Sequence, residues 1–181
     1  MEEKEVLPVK NSAHSLAVKG AAAYAVYFLV LIYIFKLIGL DQNDVNMSIA
    51  EKVISSVATY VPFILAIAYV QLTFRNELGG FISFGKAFSA GFRLSVYAGL
   101  LIAILMLLYY KVLDTGALEK MTEAAVQAAG DDENKIKGVE MMKPYMLPMI
   151  CFGFAINYTF LGLIISLISA AIVKKEQPLY E

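Results

Sequence analysis

Tryptophan is absent from this chain of 181 residues, and cysteine and histidine occur once each, as Cys151 and His14. One cysteine excludes an intramolecular disulfide. One histidine, in an N-terminal stretch that reads as a flexible tail, excludes a histidine-based zinc cluster or a Ser/His/Asp triad within the chain. Without tryptophan, any aromatic belt at a membrane surface must come from tyrosine. Charge is scarce too: 17% of residues are charged and 59% hydrophobic, against about 25% and 45–50% in soluble domains. A mean hydropathy of +0.66 leaves too little polar surface to keep a monomer in water. The net charge of −1 argues against a nucleic-acid partner. Phosphate-binding GxxxxGK[ST], dinucleotide-binding glycine and HExxH patterns are all missing.

What is present is long apolar runs. Residues 20–35 are uncharged, and Lys36 is followed by four more apolar or glycine positions. Residues 53–74 form a charge-free run of 22, residues 94–110 one of 17 and residues 144–173 one of 30. A bilayer core is ~30 Å thick and takes about 20 apolar helical residues to cross. The second and fourth runs meet that directly. The first does so if Lys36 snorkels to a headgroup layer, and the third if residues 84–92 lengthen it. A soluble bundle would have to shield the fourth run with protein along its whole length. A cleaved signal peptide is a poor reading of the first span, because MEEKEVLPVK carries three acids against two lysines.

The expected fold is therefore all-α: one integral membrane domain over 1–181, a four-helix bundle with spans near 20–40, 53–74, 91–110 and 148–173. Positive charge divides almost evenly between the two sides. One side takes Lys4, Lys10, Lys19, Arg75, Lys86, Arg93, Lys174 and Lys175, and the other takes the remaining seven cations. Both arginines fall in the short 75–93 connection, where the positive-inside rule acts most strongly. That favours N-in, C-in in an inner membrane.

The stretch GGFISFGKAFSAGF (79–92) combines bulky rings with glycine. At helical spacing Phe81, Phe84, Phe88 and Phe92 fall within an arc of about 80°, with Lys86 and Arg93 on the opposite side. The spacing predicts an amphipathic segment at the inner headgroup layer, preceded by a turn at Gly79-Gly80. A second pattern crosses it: Ala87, Gly91, Ser95, Gly99 and Ala103 recur at every fourth position, and Gly162, Ser166 and Ala170 form a matching ridge in span four. Small residues at this spacing let helix backbones approach closely in lipid.

The polar region 111–143 is expected to form an extracytoplasmic helical hairpin. Its first helix would be capped by Asp114 or Thr115 and ended by Gly130, and its second would begin near Asp132. DDEN lacks the alternating ligands, central glycine and final glutamate of a calcium loop. Met141, Met142, Met146 and Met149 are irregularly spaced, as packing methionines are. Within the spans the polar candidates are Asn157, Gln71 and Lys36. Asn157 reads most simply as an interhelical hydrogen bond, while Pro62 and Pro148 interrupt spans two and four.

The motifs NELGGFISFGKAFSAGF, YYKVLDTGALEKM and GLIISLISAAIVKKE give nearly the whole chain a resemblance to the small bacterial membrane proteins catalogued as domain of unknown function 4199. Thr115 follows Asp114 where that family often has an Asp-Pro turn. The resemblance implies a four-helix inner-membrane protein and no particular reaction. No acid, base, nucleophile or metal set converges, so the chain is expected to be non-enzymatic and to need no cofactor. The role expected is an accessory or structural subunit packing with itself as a homo-oligomer, with another membrane protein or with lipid. The alternative is a small oligomeric channel or carrier using Asn157, Gln71 and the tyrosines.

Overall fold

The computed structural model describes residues 12–40 and 47–177. The acidic 41–46 stretch, and Lys4 and Lys10 in the charge comparison, lie outside the described residues. Helix α1 (Ala13–Leu37) starts where Ser12 Oγ accepts the Ser15 N–H. His14, read from sequence as part of a tail, belongs to its first turn, and its Nδ1 lies 2.9 Å from the Tyr97 hydroxyl.

Helix α2 (Ile49–Glu77) opens with a reciprocal cap. Ser48 Oγ accepts the Glu51 N–H, and the Glu51 carboxylate accepts the Ser48 N–H, which satisfies two donors the helix cannot use itself. Gly79 and Gly80, at φ 78° and 88°, turn the chain through backbone angles that side chains disfavour. Ile82 and Lys175 then exchange both backbone hydrogen bonds, at 2.8 and 2.9 Å. That bridge holds Phe81–Ser83 out of the helix.

Helix α3 (Phe84–Leu108) follows without a break between the amphipathic stretch and span three. The rings of Phe84, Phe88 and Phe92 stack along it at 6.3 and 5.6 Å. Phe81 differs from the sequence expectation: it sits before the helix, under the Lys175 ammonium at 5.4 Å. The buried side of this segment is Ala87, Ala90, Gly91 and Leu94 rather than the phenylalanines.

One π-turn, Tyr109–Leu113, ends this helix. The hairpin helices α4 (Ala117–Ala129) and α5 (Glu133–Met142) follow. Gly130, at φ 59°, separates them, and Asp132 caps α5. Gly116, not Asp114 or Thr115, occupies the α4 cap and makes no side-chain bond. Asp114 is engaged elsewhere, with Lys36 at 3.0 Å and the Tyr109 hydroxyl at 3.2 Å.

A 3₁₀ turn, Lys143–Tyr145, leads into α6 (Met146–Val173). Pro148 falls in the first turn of α6, where a missing N–H costs nothing, so it does not interrupt that helix. Four segments are long and apolar enough to cross a bilayer: Ala13–Leu37, Ile49–Glu77, Phe84–Leu113 and Glu133–Val173.

Helix α3 lies at the centre, against α1, α2 and most extensively α6. Its Leu94 and Ile102 share the core with Phe28, Phe63, Ile67 and Tyr158. Outward positions are also apolar, including Val57, Leu65, Leu100, Ile104, Phe160 and Ile168. A fold that is oily inside and out has hydrocarbon as its solvent. Of the two ends of the bundle, one carries the Ile82–Lys175 bridge and the other the α4–α5 hairpin. They are called the bridge end and the hairpin end below.

Candidate functional site

The site begins with Pro62. Within a helix its nitrogen cannot bond to the carbonyl four residues back, and its ring crowds that carbonyl. The oxygen left over belongs to Ala58, and it accepts from the Tyr27 hydroxyl at 2.8 Å. The next carbonyl, of Thr59, accepts from the Tyr24 hydroxyl at 2.8 Å. The first half of α2 is thereby tied to α1. Its second half is tied to α6, where Gln71 Nε2 donates to Ser166 O at 3.2 Å and Arg75 Nη1 to Val173 O at 3.3 Å.

On the hairpin side of Phe63, whose ring packs on Tyr158 and Gly162, α2 and α6 stand apart, and a side-opening groove of about 500 Å³ lies between them. Phe28, Phe154 and Tyr158 form its floor. Lys52 stands at its mouth, and Ser55, Ser56, Thr59 and Tyr60 descend one wall. Asn157 and Gly153 belong to the other wall, and a methyl added at Gly153 would meet no atom within 4 Å. Tyr24 gives its single proton to Thr59 O, so the 3.2 Å contact between the Tyr24 and Tyr158 hydroxyls uses the proton of Tyr158.

Thr59 completes the wall. It is buried, yet its Oγ1 has no hydrogen-bond partner among the described residues. A helical threonine ordinarily bonds back to the preceding turn. A buried hydroxyl left unpaired costs about 1–3 kcal/mol, so a molecule in the groove that reaches Thr59 recovers that cost. Among the described residues the lining contains one cation and no carboxylate, histidine or cysteine. Glu51, one residue before Lys52, is engaged in the Ser48 cap.

Of the polar residues singled out from sequence, Asn157 lies in the groove and is exposed, and its side chain makes no hydrogen bond with any described residue. Gln71 is fully buried toward the bridge end, on Ser166. Nine residues separate Ser166 from Asn157, about 13 Å of helix rise, so Gln71 and Asn157 do not share a site. Lys36 pairs with Asp114 and donates to Leu113 O at 3.3 Å, joining the end of α1 to the π-turn. At the bridge end Lys86 is exposed beside Lys175, while Arg93 is exposed on α3.

The small residues occupy the seams. A methyl built at Gly91 would lie 2.5 Å from Gln71 Nε2 and 2.9 Å from Ser166 Oγ. At Gly99 it would lie 2.8 Å from the backbone oxygen of Ala155, and at Gly162 it would run into Ser95. Ala170 is buried against Ala87 and Val173, and Ala103 is half-buried on α3. Gly20, which the spacing pattern does not single out, is as tight, at 2.8 Å from Leu94 and 2.9 Å from Val70. The serines and Thr59 also went unremarked in the sequence. Their one signal is the run Ser55-Ser56-x-x-Thr59 immediately before an intrahelical proline.

These features define a multi-pass membrane protein: an all-helical bundle with four membrane-crossing segments and a polar-lined lateral groove. Residues 17–175, most of the chain, match the family described as "Protein of unknown function (DUF4199)", and the chain belongs to that family. No curated protein and no solved structure matches it.

Proposed function

We propose that this is a non-enzymatic integral membrane protein, an accessory subunit that works by holding a partner drawn from within the bilayer. The groove between α2 and α6 is its working surface. The observation that carries this reading is the buried Thr59 Oγ1, unpartnered among the described residues, in the wall of a side-opening groove. Reactive groups are sparse there: among the described residues lysine is the one charged side chain, and the other polar groups are hydroxyls and an amide. Such a lining favours holding over bond-making.

The setting is a bacterial inner membrane, N-in and C-in, with the groove opening toward the outer leaflet. Supporting that orientation, Arg75, Lys86, Lys174 and Lys175 all sit at the bridge end. Homo-oligomers or complexes with a second membrane protein form through the same exposed flanks. The test is isolation of the tagged protein in nanodiscs cut directly from its own membrane, with mass spectrometry of what remains bound. A Ser56→Trp variant, which fills the groove, should lose the stoichiometric species. Equal retention would refute the groove as the working surface.

A carrier is the second reading, favoured by the convergence of Asn157 with Ser56, Thr59 and Tyr60 in one groove. Its inner end is closed by the Gln71–Ser166 contact and the fit of Gly162 against Ser95 and Phe63. Solute flux into liposomes that falls with Asn157→Leu, in folded protein, would promote this reading. Unchanged flux would remove Asn157 from it.

A further inference from the structure

The groove has an order along its length that narrows what it holds. Lys52 stands three residues into α2, and Ser55, Ser56 and Thr59 follow one and two turns deeper. Beside the hydroxyls, at the depth of Thr59, lie the rings of Phe28 and Phe154, at 5.8 Å from each other. A charge at the mouth, with hydroxyls and aromatic rings together behind it, meets the phosphate, glycerol esters and acyl chains of a phospholipid. The flanks continue the match. Val53, Val57 and Val61 on α2, with Phe152, Ile156 and Phe160 on α6, are exposed apolar side chains over the same depth, so chains leaving the groove sideways stay on apolar surface.

We propose that the groove binds one anionic phospholipid from the leaflet at the hairpin end, its phosphate at Lys52 and its glycerol region within reach of Thr59 Oγ1 and Asn157. This rests on the groove being the working surface and adds the class of its occupant. The charge complementarity is direct, since among the described residues one ammonium and no carboxylate line the site. A water-soluble anion would use Lys52 but not the apolar floor and flanks.

The experiment uses the full chain, delipidated in mild detergent, with dioleoyl phosphatidylglycerol or dioleoyl phosphatidylcholine added at equal concentration and bound lipid counted by native mass spectrometry. One phosphatidylglycerol per chain is expected, held about fivefold more tightly than phosphatidylcholine, as one lysine at a headgroup provides. Lys52→Gln should abolish that preference. Thr59→Val should lower phosphatidylglycerol occupancy while raising the melting temperature of the lipid-free protein, because it removes an unpaired buried hydroxyl; a purely structural hydroxyl would lower the melting temperature instead. Equal retention of the two lipids, indifference to Lys52→Gln, or displacement of phosphatidylglycerol by millimolar inorganic phosphate would each overturn the lipid assignment. If Ser56→Trp then still strips another bound species, the groove survives as the working surface. If it strips nothing, both readings fall.

Discussion

Several close helix contacts are made by residues with nothing beyond Cα. Gly162 accepts Ser95 and the Phe63 ring at the point where α3, α6 and α2 meet. In lipid, association rests on dispersion contacts that fade within a fraction of an ångström. Adding one methyl at Gly162 therefore has to separate helices, and overpacking of this kind costs about 1–3 kcal/mol. Gly153 lies on the same helix with open space around its Cα; alanine there gains helix propensity, by up to about 1 kcal/mol. Thermal unfolding in detergent should show Gly162→Ala melting lower and Gly153→Ala melting equal or higher. Equal losses at both positions would mean that α6 propensity, not the seam, sets stability. At this scale the sequence was partly legible. Gly91, Gly99 and Gly162 stand out because small residues recur at every fourth position, whereas Gly20 has no such companions and Thr59 looks like any helical threonine.

Between elements, the α1–α2 contact is organised by a defect. Pro62 leaves Ala58 O without its helical donor, and two tyrosines one turn apart on α1 deliver hydroxyls to that carbonyl and to the next. Removing the Tyr27 hydroxyl should cost about 0.5–1.5 kcal/mol. With Pro62→Ala in place, the alanine N–H serves Ala58 O from within the helix and the same removal should cost much less. A double-mutant cycle of Tyr27→Phe with Pro62→Ala, read by unfolding in detergent, is thus expected to show coupling; additive effects would show that the tyrosine does not repair the break. A second clamp joins Lys36 to Asp114 beside the π-turn. The Lys36 side chain is 41% exposed, so Asp114→Asn should cost no more than about 1 kcal/mol, the range of exposed ion pairs, while loosening α4. Faster amide hydrogen exchange over residues 114–120 would register that loosening, and unchanged exchange would show that the π-turn holds without the ion pair. The spans were legible because their length and lack of charge admit few other structures. The pairings were not, since neither a proline's partner nor the competition of Lys36 for Asp114 leaves any local pattern.

For the whole molecule, the proposed function rests on how two parallel neighbours, α2 and α6, meet at one end and part at the other. Gln71 and Arg75 close the bridge end on Ser166 and Val173, while the Tyr24 and Tyr27 bonds hold α2 away at the hairpin end. Asn157 was visible in the sequence as a polar residue, but its companions sit nearly a hundred positions earlier in the chain, and only the fold brings them together. Which leaflet the groove faces then depends on orientation, and orientation depends on charge near the membrane surfaces. The cations of the bridge end predict that it stays on the cytoplasmic side. In a Cys151→Ser background, cysteine introduced at Gln127 on α4 should react with a membrane-impermeant maleimide in intact cells, and cysteine at Lys86 only after lysis; both positions are exposed. The reverse pattern would turn the groove toward the inner leaflet and its anionic lipids. The binding chemistry would be unchanged, but the pool of lipid it samples would differ.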